Sequence, residues 1–135
     1  MADLGSITAV RITSNTITNE VTYGATISAG QSVYLDSADG EYKLAGASAS
    51  ASAECKGIAV TPGVDGGRGV IATGGDIILV GTTAAVGAVY VVSATAGGIA
   101  PEADLSSGEY VTVLGVASSA TQLKIQLQAS GVAHA

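Results

Sequence analysis

The sequence predicts a single all-β domain, a barrel or a sandwich of about ten strands. Apolar and polar residues alternate over short stretches, as they do in strands that bury one face. Glycine-containing turn signals separate these stretches. The i, i+3, i+4, i+7 apolar spacing of an amphipathic helix persists nowhere in the 135 residues. A chain of this length can bury one modest core.

Two stretches of the chain are similar to each other. They span residues 30–61 and residues 87–119. Val33 and Val89, each followed by Tyr, are 56 positions apart (89 − 33), and Gly57 and Gly115 are 58 apart (115 − 57). This alignment makes Tyr34 the counterpart of Tyr90. We therefore expect two pseudo-repeated units of hairpin, loop and strand that fold onto one core.

Residues 1–29 precede the repeat, and their many Ile, Val and Thr residues predict extended chain. Two interpretations are open. The segment forms the first strands of the domain, or it is an extended N-terminal arm that adds to the sheet of a neighbour. In the second case Ile7, Val10, Ile12 and Ile17 would contact a sibling subunit or another protein.

The first unit begins with a predicted hairpin. Residues 32–37 alternate, Asp39 and Gly40 form a tight turn, and residues 42–44 resume the strand pattern. The alternating Ala and Ser of residues 46–53 predict a flexible surface loop.

The middle of the chain predicts three strands separated by glycine. Residues 55–61 and 68–73 form the first two, and Gly74 and Gly75 turn the chain into residues 76–80. That last run is apolar on both faces, which is typical of a central strand covered on both sides.

The second unit repeats the hairpin, with a turn at residues 95–98 and a stop at Pro101. The longest strand is expected at residues 109–117, and residues 121–128 alternate most clearly. The β-domain therefore spans residues 30–128. Residues 129–135 are expected to form a flexible tail.

Composition limits the classes of partner. Only 12% of residues are charged, so part of the surface is expected to be covered by a partner or by sibling subunits in a closed oligomer. The net charge is −6 and the five basic residues are dispersed, which argues against nucleic acid as a partner. The N-terminus has no signal-peptide pattern and no apolar run of membrane-spanning length occurs, so we expect a soluble protein without a membrane partner.

Histidine and cysteine offer little chemistry. The single histidine, His134, lies next to the C-terminus, which excludes a multi-His metal site and a His-based triad. Cys55, the single cysteine, has only Lys56 as a neighbouring base, and we expect a buried small apolar residue in a reducing compartment.

Carboxylates cluster loosely at two places. Asp36, Asp39 and Glu41 weakly resemble a calcium loop but lack its twelve-residue spacing, and Asp and Gly are also what a hairpin turn needs. Glu102 and Asp104 follow Pro101 in a predicted loop. We therefore predict no enzyme activity, no cofactor and no metal.

The turn and strand motifs resemble those of a known group of proteins. The motifs are Gly-x-x-Val-Tyr-Leu-Asp-Ser-Ala-Asp-Gly, Gly-Ile-Ala-Val-Thr, Val-Tyr-Val-Val-Ser-Ala-Thr-Ala-Gly-Gly-Ile-Ala-Pro and Val-Leu-Gly-Val-Ala-Ser-Ser-Ala-Thr-Gln-Leu-Lys-Ile. Over about residues 30–127 the chain is similar to small capsid decoration (cement) proteins of tailed bacteriophages, and to β-modules of their tail-fibre proteins.

The resemblance implies a structural virion protein. Its members are implied to be all-β trimers on the outer capsid surface, with the major capsid protein as partner and no catalytic residues. We expect this chain to be made in the host cytoplasm and to stabilise the capsid from outside. The alternative is a receptor- or glycan-binding module of a tail fibre or capsid tip.

Overall fold

A computed structural model of the chain describes Leu4, residues 7–105 and residues 107–133. Those residues contain ten strands: β1 Ala9–Ile12, β2 Ile17–Thr22, β3 Ser32–Asp36, β4 Glu41–Leu44, β5 Cys55–Ala59, β6 Arg68–Val80, β7 Val89–Val92, β8 Ile99–Pro101, β9 Tyr110–Ala117 and β10 Gln122–Ala133. A short helix, α1 (Ser50–Ala53), joins β4 to β5, and a 3-10 turn at Glu102–Asp104 joins β8 to β9. The predicted all-β fold is confirmed.

The strands form one curled antiparallel sheet with the order β4-β3-β5-β6-β10-β9-β7-β8. The longest strand, β6, is central because both of its sides are paired along its length. Its first half lies between β2 and β5, and its second half lies between β1 and β10. Strands β1 and β2 therefore lie end to end along one side of β6.

The two hairpins have the same register, which corrects the alignment of the repeat. In the first hairpin Val33 lies opposite Leu44, and in the second Tyr90 lies opposite Pro101. Equivalent residues of the two hairpins are therefore 57 positions apart (90 − 33). The counterpart of Tyr90 is thus Val33 and not Tyr34. Val33 and Tyr90 are both buried, whereas Val89 is 38% exposed. A shift of one position reverses the face of every side chain, so the buried face fixes the register.

The repeat is also longer than predicted, because β6 belongs to both units. Asn19 of β2 lies opposite Ile71 in the first half of β6, and Ile77 in its second half lies opposite Leu123 of β10. The first of these paired rows of residues continues into β5, and the second continues into β9. Corresponding residues of the two rows, such as Asn19 and Ile77, are 58 positions apart (77 − 19). Each unit therefore has five strands, and β6 ends the first unit and begins the second.

Several local predictions were wrong. Gly74 and Gly75 do not turn the chain but lie inside β6. Residues 46–53 are not a flexible loop, since they contain α1 and bury Ala47 and Ala53, and Ala47 packs with Val91 and Leu105 of the second unit. Residues 129–133 are not a tail, since they continue β10 and pair with β9.

Candidate interaction surface

The first candidate surface is the N-terminal edge, by which we mean β1, the connecting residues 13–16 and β2. Within the described chain both strands pair with β6 on one side only. Their other side presents backbone N–H and C=O groups that no strand of the described residues pairs along its length. Such an edge is a ready template for an additional strand or for a neighbouring chain.

The connection between β1 and β2 is fixed to Asp76 of β6. The Asn15 side chain donates to the Asp76 carboxylate at 2.9 Å and accepts from the Asp76 backbone N–H at 3.3 Å. Thr13 and Thr16 donate their hydroxyls to the Asp76 carbonyl. Gly75, with a φ of +76°, is needed here because a Cβ would overlap the carbonyl of Asn15. The connection is therefore an ordered part of the surface.

The four predicted contact residues divide into two pairs. Val10 is buried in the core, and Ile7 is half-buried against it. Ile12 and Ile17 are 57% and 61% exposed and flank the connection on either side. Residues 9–12 and 17–22 thus form strands of the domain, as the first interpretation predicts, and of the four residues only Ile12 and Ile17 are largely exposed.

A second surface lies on the solvent side of the sheet. We call it the outer face: the residues of β1, β6, β7, β9 and β10 that point away from the core, namely Ala9, Arg11, Asp76, Ile78, Val80, Val89, Val116, Gln122 and Lys124. The sequence predicts that residues 76–80 are covered on both sides. Ile77 and Leu79 are buried, but Ile78 and Val80 remain half-buried within the described chain.

Two carboxylates of the first hairpin, Asp36 and Asp39, form ion pairs with Lys43. The Lys43 ammonium lies 2.8 Å from Asp36 Oδ2 and 3.0 Å from Asp39 Oδ2. The hydrogen bond from Lys43 lowers the pKa of Asp36, and the backbone N–H of Glu41, followed by Lys43, lowers the pKa of Asp39. No group of three or more metal-ligating side chains occurs in the part of the chain that the structure describes. The cluster is thus an ion-paired turn.

The remaining candidates lie at separate places in the chain. Cys55 is buried, its Sγ lies 3.1 Å from the Gly57 carbonyl, and burial raises the pKa of its thiol to about 12. It is the small apolar residue that the sequence predicts. Glu102 and Asp104 lie in the 3-10 turn, and His134 lies outside the described residues.

Two shallow grooves, of about 300 and 470 Å³, lie beside the N-terminal segment. Both are lined by Ile7, Ser28 and Ala29, and neither has an ionisable side chain in its lining. They offer apolar contact, backbone polar groups and side-chain hydroxyls such as that of Ser28, but no acid or base in their lining to activate a hydroxyl.

Over the described residues, no helix has the length and apolar character that crossing a bilayer requires. No protein-family model matches the chain, and no curated protein matches it significantly.

Proposed function

We propose that this protein is a structural component of a tailed-bacteriophage virion that binds the outside of the capsid and stabilises it. The observation that carries the proposal is the N-terminal edge, an ordered strand edge with Ile12 and Ile17 exposed on a chain of low charge. An open strand edge that carries exposed apolar side chains favours contact with a neighbouring chain.

The N-terminal edge supports self-association, which we propose to give a trimer. Strand pairing between copies would satisfy the outward backbone groups of β2, and burial of Ile12 and Ile17 would supply apolar contact. Three linked copies bind a shell with avidity, so individually weak contacts become stable together. The role is mechanical and uses no catalytic residue.

Co-sedimentation with undecorated shells tests the proposal. The shells come from a phage strain that lacks this chain, and purified protein is added at increasing concentration. We expect saturable binding at a fixed number of copies per shell. Absence of binding to these shells, while bound protein is present on wild-type particles of the same phage, would contradict a direct contact with the capsid. Absence from wild-type particles as well would remove the virion role.

A further inference from the structure

The outer face is unusually apolar for the solvent side of an antiparallel sheet. Directly opposed residues of neighbouring strands point to the same side of a sheet. Ile78 and Val80 therefore share this side with Val116 and Val89 of β9 and β7. The first three are half-buried and Val89 is 38% exposed. Antiparallel sheets that face water usually place polar residues there, so this side has the composition of a contact surface.

Two cations border this apolar centre. Arg11 lies opposite Ile78 on one side, and Lys124 lies opposite Asp76 and Val116 on the other. Both side chains are exposed, and neither forms an ion pair within the described part of the chain. By contrast, Lys43 and Arg68 of the first unit are each paired with carboxylates of the chain itself.

The one acidic side chain of the outer face, Asp76, is held by a hydrogen bond within the chain. The carboxylate of Asp76 accepts a hydrogen bond from the Asn15 side chain and lies half-buried. On a chain with a net charge of −6, the outer face thus combines an apolar centre with two cations and one carboxylate, which gives this face a local charge of +1 (2 − 1). Such a surface is complementary to a partner with apolar residues inside an acidic border.

We propose that the outer face is the surface that binds the capsid, and that it binds an acidic region of the major capsid protein. The inference rests on the proposed function and adds to it the side of the molecule that faces the shell. A second copy fits this surface less well, since two outer faces packed together would bring the cations of one copy towards those of the other. The N-terminal edge is left for contact between copies.

Charge reversal tests the inference. Lys124→Glu and the double variant R11E/K124E are compared with Lys56→Glu, an exposed lysine of β5 in the first unit that likewise has no ion pair in the described chain. Lys124→Glu and Lys56→Glu change the net charge equally. Binding to undecorated shells is measured by co-sedimentation from about 50 to 500 mM salt, and the oligomer mass by light scattering.

We expect R11E/K124E to bind the shells at least about tenfold more weakly than wild type, since it places like charges against an acidic surface. Lys56→Glu should bind within about twofold of wild type, and wild-type binding should weaken as salt increases. Lys124→Glu and Lys56→Glu, whose residues lie outside the N-terminal edge, should keep the wild-type oligomer mass, and all variants should keep the wild-type circular dichroism spectrum. The neutral pair Arg11→Gln and Lys124→Gln should fall between wild type and the double reversal.

Three outcomes would overturn the inference. If wild type binds and R11E/K124E binds as well as Lys56→Glu, the outer face does not contact the shell, although the proposed function stands. If Lys124→Glu changes the oligomer mass, the occupant of the outer face is a second copy. If wild type itself does not bind undecorated shells, the proposed function fails and the inference fails with it.

Discussion

The ring of Tyr23 packs directly against Gly69 at the centre of the first unit, leaving no space for a side chain at position 69. Gly63 approaches the same ring, where a Cβ would lie 2.5 Å from Cδ2. The Tyr23 hydroxyl donates to the Thr61 carbonyl at 2.8 Å, and burial raises the pKa of the phenol. The two glycines and this hydrogen bond thus fix a fully buried aromatic ring in a cluster whose other buried members are all aliphatic.

Gly69→Ala is therefore expected to destabilise the protein. The added methyl group overlaps the Tyr23 ring, and overpacking of this kind costs about 1–3 kcal/mol of unfolding free energy. Urea denaturation measures the loss. Gly46→Ala is the control, because the nearest atom to its added Cβ is 4.0 Å away and its effect should stay within about 0.5 kcal/mol. Equal stability of the two variants would contradict the close packing at Gly69.

The repeat predicts matched effects at Gly57 and Gly115. A Cβ at Gly57 would lie 2.7 Å from the carbonyl oxygen of Ala72, and one at Gly115 would overlap the carbonyl of Lys124. In both units the neighbouring strand approaches closely at this point, so Gly57→Ala and Gly115→Ala should each lower the unfolding free energy by at least about 1 kcal/mol. Thermal or urea unfolding tests this, and a neutral effect at either position would contradict the structural equivalence.

The sequence predicts the hairpins well because their turns have local signatures. Gly40 and Gly97 both adopt positive φ in the turns, at 72° and 77°, and they are 57 positions apart (97 − 40), as the paired strands are. The matching Val-Tyr pairs suggested a separation of 56 instead. Identical residue types in a strand do not fix which face they occupy, whereas turn geometry and burial do.

The errors arose where tertiary contacts decide the structure. Gly75 allows the backbone of Asn15 to lie close to β6 and does not reverse the chain. Glycine is favourable in both situations, so the sequence alone does not distinguish them. The Ala and Ser of residues 46–53 are ordered because Ala47 accepts a hydrogen bond from the Tyr110 N–H at 2.8 Å in the second unit. For the candidate surface, the low charge of the chain predicted that some region is covered by a partner. Composition could not locate that region, because the open side of β2 is seen only once the strand order is known.

Cys55 should resist thiol reagents in the folded protein. Because burial raises its pKa to about 12, almost no thiolate forms at pH 8. We expect negligible reaction with a disulfide reagent under native conditions and one thiol per chain after denaturation in urea. Because the pKa of Cys55 is higher in the folded than in the unfolded protein, the protonated thiol contributes fully to stability below the pKa of an unfolded cysteine, about 8.5. That contribution is lost as the pH rises towards 12. Rapid native labelling would contradict the burial of Cys55.

The N-terminal edge should carry the contact between copies. In the double variant Ile12→Ser and Ile17→Ser, apolar contact is lost while the strands keep their pairing to β6, so we expect a folded protein that dissociates more readily. Light scattering should show a trimer for wild type and a mass near 13.0 kDa for the variant at micromolar concentration. Val64→Ser on an exposed loop is the control, since Val64 is 64% exposed and lies outside the edge. A wild-type mass near 13.0 kDa would contradict a constitutive trimer.

The temperature at which phage particles release their DNA tests the central claim most directly. Release is followed with a DNA-binding dye for particles that carry the protein, for particles of a strain that lacks it, and for the latter after purified protein is added back. If the protein stabilises the capsid, undecorated particles release DNA at a lower temperature and added protein restores the wild-type value, because many shell contacts must then break together. Equal release temperatures for all three would contradict the account.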